Sequence, residues 1–239
     1  MNSCKFKRAI ASSIENGDRL LQDAKYMMEL SRFPTSYALA IFAQEEYAKA
    51  LLLCLVDTGA IPWSANVGRA LRDHVCKQLV SVILDYLSPD TEEFLARYNF
   101  TQIGKPRPIF PTDVIDAIHM ICYERIPHEN YRWWIDPGER PIAQKVKAIA
   151  DGKLDQQKQH AIYVHVGKTC EVCSLPSQVS EAAAKAEVDR SQRIGDHLRP
   201  YDGAPGLRDT LDSEKLIAFF RLLTGTLSPE DFGANWWAR

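Results

Sequence analysis

Apolar residues near the start of the chain recur at spacings of three and four, the period of one helix face. A second helix is predicted over 37–56, capped by Thr35 or Ser36 after the interruption at residues 32–34. Because it is apolar on nearly every side, we expect it to lie at the centre of a bundle. Its polar residues must then find partners inside the protein. The first helix has its apolar face at Phe6, Ile10, Ile14, Gly17, Leu21, Ala24 and Met28, and the second has its polar group at Gln44, Glu45, Glu46 and Lys49.

A third long helix is predicted from Ser64 to the Ser88-Pro89 pair. Three consecutive helices of this kind favour an up-and-down bundle. The apolar positions that again follow the helical period are Val67, Leu71, Val75, Leu79, Val82 and Tyr86.

The rest of the chain predicts shorter helices around irregular segments. A loop contains Pro106, Pro108 and Pro111, and residues 127–141 are interpreted as an ordered insertion. Residues 161–166 alternate in polarity and could be extended, while Pro176 marks a helix start. The predicted helices here cover 91–98, 113–124, 142–159, 180–193 and 212–223. We predict an all-α fold in one domain over 1–239, with a core of 5–99 and 142–225 and an insertion at about 100–141.

Composition narrows the class of protein. The formal net charge of -2 shows no excess of basic residues, so contact with RNA must be local and we expect no binding to DNA. Residues 1–10 lack the apolar run of a signal peptide, and the longest apolar stretch, 50–56, is far shorter than the ~20 residues of a membrane span. We expect a cytoplasmic protein with no membrane contact. Its cysteines are expected to be reduced thiols: Cys4, Cys54, Cys76, Cys122, Cys170 and Cys173.

An arginine and a histidine stand five residues apart on the predicted third helix, Arg69 and His74, and Lys77 follows one turn later. Metal-independent RNA cleavage needs a base for the 2′-hydroxyl proton, an acid for the leaving 5′-oxygen and cations for the charge on phosphorus. His74 and Arg69 are the right residue types. In a regular helix their side chains would point about 140° apart, whereas Lys77 would share the face of His74.

Three segments occur in an order that is typical of one bacterial family. The central helix reads Tyr37-Ala-Leu-Ala-Ile-Phe-Ala-Gln-Glu-Glu46-Tyr-Ala-Lys49-Ala, then His74-x-x-Lys77 follows, and Gln159-His-Ala-Ile-Tyr163-Val comes much later. In this order they resemble the abortive-infection V family of phage-resistance proteins, over roughly residues 6–193. That family is similar to HEPN domains, which are helical, usually dimeric and often metal-independent ribonucleases with an Arg-x4–6-His motif.

The resemblance assigns site residues one by one. Arg69 and His74 match the Arg-x4-His motif, and Glu46 matches the acidic position on the preceding helix, where it would orient His74 or Arg69. Lys77 would help Arg69 to stabilise the phosphate. Many active HEPN nucleases have a polar residue directly after the motif arginine, whereas this chain has Ala70.

Packing alone gives a different interpretation of the same residues. Glu45 and Lys49 would form an i,i+4 pair, and Glu46 would pair with Arg69 across the helix contact. His74 would then be a structural histidine, hydrogen-bonded to Glu46 or Asp73 inside the bundle.

Two functions remain open at this point. The first is a HEPN-like ribonuclease that arrests growth or translation in abortive infection, with no metal or cofactor and with a homodimer placing two Arg69/His74 sets in one cleft. Its products would carry a 2′,3′-cyclic phosphate and a 5′-hydroxyl, and a phage-encoded activator is a further implied partner. The alternative is a non-enzymatic helical effector that binds a phage or translation component. Exposed Arg69 and His74 would favour the nuclease.

Other motifs carry less weight. The pair Cys170 and Cys173, with His160 or His165, would make at most an incomplete zinc site, so we expect no metal there. The aromatic residues of the insertion could stack on bases, but aromatic residues in a long loop more often pack against the core. These aromatic residues are Tyr131, Trp133 and Trp134, beside Arg132 and Arg140, and the isolated histidines expected to be solvated or structural are His119, His128 and His197.

Overall fold

The computed structural model describes residues 3–87, 112–126 and 142–199, and these form an all-α fold with one small hairpin. The helices of the described residues are α1 (Ser3–Glu29), α2 (Phe33–Asp57), α3 (Ala65–Ala70), α4 (His74–Leu87), α5 (Thr112–Met120), α6 (Gln144–Ala150), α7 (Lys153–His160) and α8 (Glu181–Leu198). A π-helical turn, Ile121–Arg125, continues α5, and the strands are β1 (His165–Val166) and β2 (Val172–Ser174).

Helix α2 lies at the centre of the bundle, as its apolar circumference predicts. Leu51, Leu52 and Leu55 are fully buried, and α2 packs against α1, α4 and α8. The predicted cap is wrong, because α2 begins earlier, with Arg32 in the cap position and Pro34 in the first turn. The hydroxyl of Ser36 donates instead to the carbonyl of Ala24 at 2.8 Å and so joins α2 to α1.

The ring of Tyr47 on α2 lies between glycines of two other helices. A Cβ atom at Gly17 of α1 would lie 2.5 Å from the ring, and one at Gly195 of α8 would lie 2.7 Å from its oxygen. The phenol donates to Asp18 at 2.8 Å, and its pKa is raised by burial and by that carboxylate. Glycine at both positions therefore lets three helices approach closely around one aromatic side chain.

The predicted third helix is two helices, α3 and α4, separated by residues 71–73. Ser64 caps α3 as predicted, its side chain accepting a hydrogen bond from the amide of Val67. The prediction of one continuous helix is wrong because Asp73 begins a new one. Its carboxylate accepts from the amide of Cys76 at 2.8 Å, in the manner of an N-cap. The Arg69-x4-His74 motif spans this break, so the angle expected for a regular helix does not apply.

The remaining described elements are short and agree with the prediction only in part. The helix predicted over 142–159 is interrupted between α6 and α7, where Gly152 has a φ of 76°. Of the residues predicted as extended, only His165 and Val166 form a strand, paired antiparallel with β2. Pro176 begins a short 3₁₀ turn and Ser180 caps α8.

Helix α5 and its π-helical turn lie within the stretch assigned to the insertion, yet Val114, Ile118 and Ile121 are buried in the core. Other predictions lie outside the described residues: the helices over 91–98 and 212–223, the proline loop, residues 127–141 and His128.

No helix in the described part of the chain combines the length and apolar character of a membrane span. Cys76, Cys122, Cys170 and Cys173 have free thiols.

Candidate functional site

The break between α3 and α4 places the two motif residues on different helices. Arg69 lies in the last turn of α3, and His74 is the first residue of α4. Both are exposed, with 48% of the His74 side chain accessible. Arg69 donates to the side-chain oxygen of Asn66 at 3.2 Å, on its own helix. Ala70 between them is buried in the core, so a polar side chain there would need a buried partner.

The carboxylate that meets His74 belongs to Glu45, and not to Glu46 as the sequence predicted. Oε2 of Glu45 lies 2.6 Å from Nδ1 of His74, and the Glu45 side chain is only 3% exposed. Glu46 instead accepts from Lys49 at 2.6 and 2.8 Å. The expected pairs of Glu45 with Lys49 and of Glu46 with Arg69 are therefore wrong. Successive residues on a helix point about 100° apart, so Glu45 and Glu46 face different neighbours.

Glu45 is the centre of a polar group, the Glu45 cluster, which consists of the exposed His74 and the buried Glu45, Lys77, Gln78 and Lys158. Lys77 Nζ lies 3.1 Å from Oε2, while Lys158 Nζ and Gln78 Nε2 donate to Oε1 at 2.7 and 3.0 Å. Lys77, predicted to contact phosphate, is buried and paired with Glu45. The Lys77 ammonium therefore neutralises the Glu45 carboxylate and does not contact a ligand in this arrangement.

Charge balance governs the ionisation of Glu45. Burial alone would raise the pKa of its carboxyl group, but the ammonium groups of Lys77 and Lys158 outweigh burial and hold the pKa below its ordinary value. Glu45 is therefore ionised at neutral pH. The 2.6 Å contact joins Nδ1 of His74 to this carboxylate, so Nε2 is the ring nitrogen that is not bound to Glu45.

A further carboxylate, Asp155 of α7, lies beside the Glu45 cluster. Among the described residues, Glu45, His74 and Asp155 are the group whose donor atoms are close enough to hold a metal ion, within 4.8 Å of one another. The ammonium of Lys158 lies among the same atoms, 2.6 Å from Oδ1 of Asp155. The Lys158 side chain therefore already places a positive charge among the oxygen and nitrogen atoms of this group. Cys170 and Cys173 form no such group with His160 or His165 in the described residues.

A bond between Asp73 and Arg125 also holds the start of α4 in place. While one oxygen of Asp73 caps α4, the other accepts from Arg125 at 3.0 Å. Arg125 ends the π-helical turn after α5, an irregularity that is often found near functional sites. This bond fixes the backbone from which the His74 side chain leaves.

Sequence reasoning missed Lys158, Asp155 and Arg125. A signal for Lys158 existed, because Leu154, Lys158 and Ala161 share the spacing of one helix face and both flanking residues are apolar. The side chain of Lys158 accordingly points inward and is buried, with its ammonium 4.7 Å from the centre of the Phe42 ring. No comparable pattern in the sequence predicts the contact of Arg125 with Asp73.

The all-α fold with its Arg-x4-His turn is consistent with the HEPN class of helical folds. A family model of this class, described as AbiV, matches residues 5–196. The chain belongs to the AbiV family, and membership indicates a role in abortive-infection phage defence. Searches of curated proteins and of solved structures found no match.

Proposed function

We propose that the chain is a metal-independent HEPN-like endoribonuclease that acts in phage defence by arresting growth or translation. The observation that supports this most is the state of His74, whose ring is half exposed while its Nδ1 is bound to the buried carboxylate of Glu45. A histidine held this way has one ring nitrogen fixed and the other left for proton transfer, as in other sites where a carboxylate orients a catalytic base.

The proposed reaction uses His74 and Arg69 on one phosphodiester. Nε2 of His74 takes the proton of the 2′-hydroxyl, the 2′-oxygen attacks phosphorus, and the bond from phosphorus to the 5′-oxygen breaks. The 5′-oxygen receives a proton, so the products are a 2′,3′-cyclic phosphate and a 5′-hydroxyl. Arg69 meets the charge that develops on the phosphoryl oxygens. Arg72, exposed in the turn between the motif residues, is a second cation suited to this contact.

The acid for the leaving oxygen is supplied, in this proposal, by a second copy of the chain. The Arg-x4-His motif contributes one histidine per chain, and a two-fold dimer with α3 and α4 near its axis would bring two His74 rings to one cleft. Sedimentation velocity at micromolar concentration is expected to give a dimer. A monomer at every concentration would contradict this part of the proposal.

One observation favours a non-enzymatic effector that binds a phage or translation component. The hairpin after α7 and the residues that lead into it expose apolar side chains, among them Tyr163, Val166 and Val172, each more than half exposed. Exposed apolar groups of this kind are typical of protein-binding surfaces. A binding protein would keep its effect on phage growth when His74 is replaced, whereas a nuclease would lose it.

The decisive experiment is an RNA-cleavage assay in the presence of a chelator. His74→Ala and Arg69→Ala should each lower the cleavage rate by about 10²–10⁴-fold. Arg69→Ala should melt like the wild type because its side chain is exposed, whereas His74→Ala removes one partner of Glu45 and should melt somewhat lower but stay folded at the assay temperature. His165→Ala and Arg19→Ala are matched controls, since they remove exposed residues of the same types on the hairpin and on α1. Wild-type protein that cleaves no RNA, or variants that lose activity only by unfolding, would refute the nuclease.

A further inference from the structure

Lys158 is the part of the Glu45 cluster that comes from farthest away in the sequence. It stands 84 residues after His74 in the chain, yet its ammonium lies 3.2 Å from Nδ1 of the histidine ring. The side chain is only 3% exposed. A lysine buried to this extent is uncommon unless its charge is paired.

The position of the ammonium is fixed on several sides. It lies 2.7 Å from Oε1 of Glu45 and 2.6 Å from Oδ1 of Asp155, and the Phe42 ring is 4.7 Å away. Two carboxylates and an aromatic ring leave it little freedom, which distinguishes it from a surface ion pair. Lys158 in turn restrains the carboxylate of Glu45, because it holds one oxygen while the other meets His74.

These contacts select one form of the histidine ring. Nδ1 either donates a proton to Glu45 or accepts one from Lys158, and it cannot do both. The 2.6 Å contact with an ionised carboxylate favours donation to Glu45. The ammonium of Lys158 lies 3.2 Å from the same nitrogen, so the ring has a positive charge beside it.

The charged groups that meet at Glu45 and His74 come from three helices. Glu45 lies on α2, Lys77 on α4, and both Asp155 and Lys158 on α7. Two carboxylates are thus balanced by two ammonium groups, and a neutral ring leaves the group without net charge. Removal of the Lys158 charge would leave an excess of negative charge beside His74.

We propose that Lys158 is a positioning residue whose buried ammonium holds Glu45 in place and keeps His74 neutral with its proton on Nδ1. The form of the ring is inferred from these contacts alone, whereas its value for catalysis rests on the proposed nuclease function. In that function, the neutral ring of the subunit that supplies the base has a free lone pair on Nε2 to take the 2′-hydroxyl proton. The ring of the other subunit binds a proton from solvent at Nε2 before it acts as the acid.

Histidine-selective ¹⁵N NMR tests the ring directly, with the His74 signals assigned by comparison with His74→Ala. The wild type at neutral pH should show the neutral, Nδ1-protonated pattern for His74. Lys158→Met keeps an unbranched apolar side chain against Phe42 but removes the positive charge, and should convert His74 to the charged pattern with a proton on both ring nitrogens. Lys153→Met, which removes an exposed lysine from the same helix, is the matched control and should leave the pattern unchanged.

Cleavage and melting complete the test. Lys158→Met should lower the cleavage rate by about 10-fold or more, and Lys158→Arg should restore part of it because the positive charge returns. An unchanged His74 spectrum together with unchanged cleavage in folded Lys158→Met would overturn the proposal. So would a wild-type spectrum with the proton on Nε2, which needs no variant to fold. If the wild type cleaves no RNA, the nuclease proposal fails while the spectra still decide the role of Lys158.

Discussion

Nδ1 of His74 lies 2.6 Å from Oε2 of Glu45, whereas Glu46, the next residue along α2, is paired with Lys49. The two carboxylates are neighbours in sequence and belong to different environments. This difference gives a direct comparison of a carboxylate that orients the histidine with one that does not.

Glu45→Gln should lower RNA cleavage by about 10- to 100-fold, in the range found for carboxylates that orient functional histidines. It should also lower the free energy of unfolding by up to about 3–5 kcal/mol, because Lys77 and Lys158 lose their shared counter-charge in the interior. Cleavage rates at a temperature where the variant is folded, measured beside urea denaturation, separate the two effects.

Glu46→Gln is the matched control for that experiment. The Glu46–Lys49 pair is partly exposed, so its loss should change stability by no more than about 1 kcal/mol and leave cleavage unaffected. Equal losses of activity in both variants would contradict the assignment of Glu45.

Stability should fall in acid because of Glu45. Its pKa is lower in the folded protein than in the unfolded chain, so the stabilising contribution is complete above the unfolded-state value of about 4.3. The contribution is lost as the pH falls through the lower folded-state pKa. Urea midpoints between about pH 3 and 7 should therefore decline more steeply in the wild type than in Glu45→Gln. Parallel declines of the urea midpoint would show that Glu45 does not contribute to the loss of stability in acid.

Asp73→Ala should destabilise the protein by about 1–2 kcal/mol, because it removes the cap of α4 and the bond from Arg125. Asp73→Asn retains an oxygen that can cap the helix but loses the ion pair, and should be destabilised by less. Chemical denaturation measures both. A larger loss in the asparagine variant than in the alanine variant would show that the cap is not the main contribution.

Gly17→Ala should destabilise the bundle by about 1–3 kcal/mol, since the new methyl group would lie 2.5 Å from the buried ring of Tyr47. Gly68→Ala is the contrasting substitution. Its methyl group would lie 3.8 Å from Trp63, and removing a glycine from a helix is expected to stabilise by about 0.5–1 kcal/mol. Thermal melting of the two variants should shift in opposite directions.

The pattern of apolar residues was sufficient to predict the bundle and its central helix. Apolar residues all round α2 require burial, and the burial of Leu51 and Leu55 confirms this. The same property explains why the pattern could not distinguish Glu45 from Glu46. A helix that is covered on every side has no polar face, so only the neighbouring helices determine which carboxylate meets which partner.

The break after α3 was not predicted because the apolar period continues across it, through Leu71 and Val75. Only Asp73 could have indicated it, since aspartate is a strong N-cap, but an isolated aspartate inside an apolar period is also compatible with an exposed position on one helix. The bond to Arg125 joins residues 52 positions apart, and such a pairing depends on tertiary packing.

The residues of the Glu45 cluster leave the ribosome at different times during synthesis. α2 and α4 are complete before α7 is made, and Lys158 is added only after the first two-thirds of the described sequence. A nascent or prematurely terminated chain that ends before α7 therefore has His74 and Glu45 without the buried ammonium beside them. On the proposed function, a ribosome making a growth-arresting enzyme would be exposed to its full activity only after α7 had been synthesised.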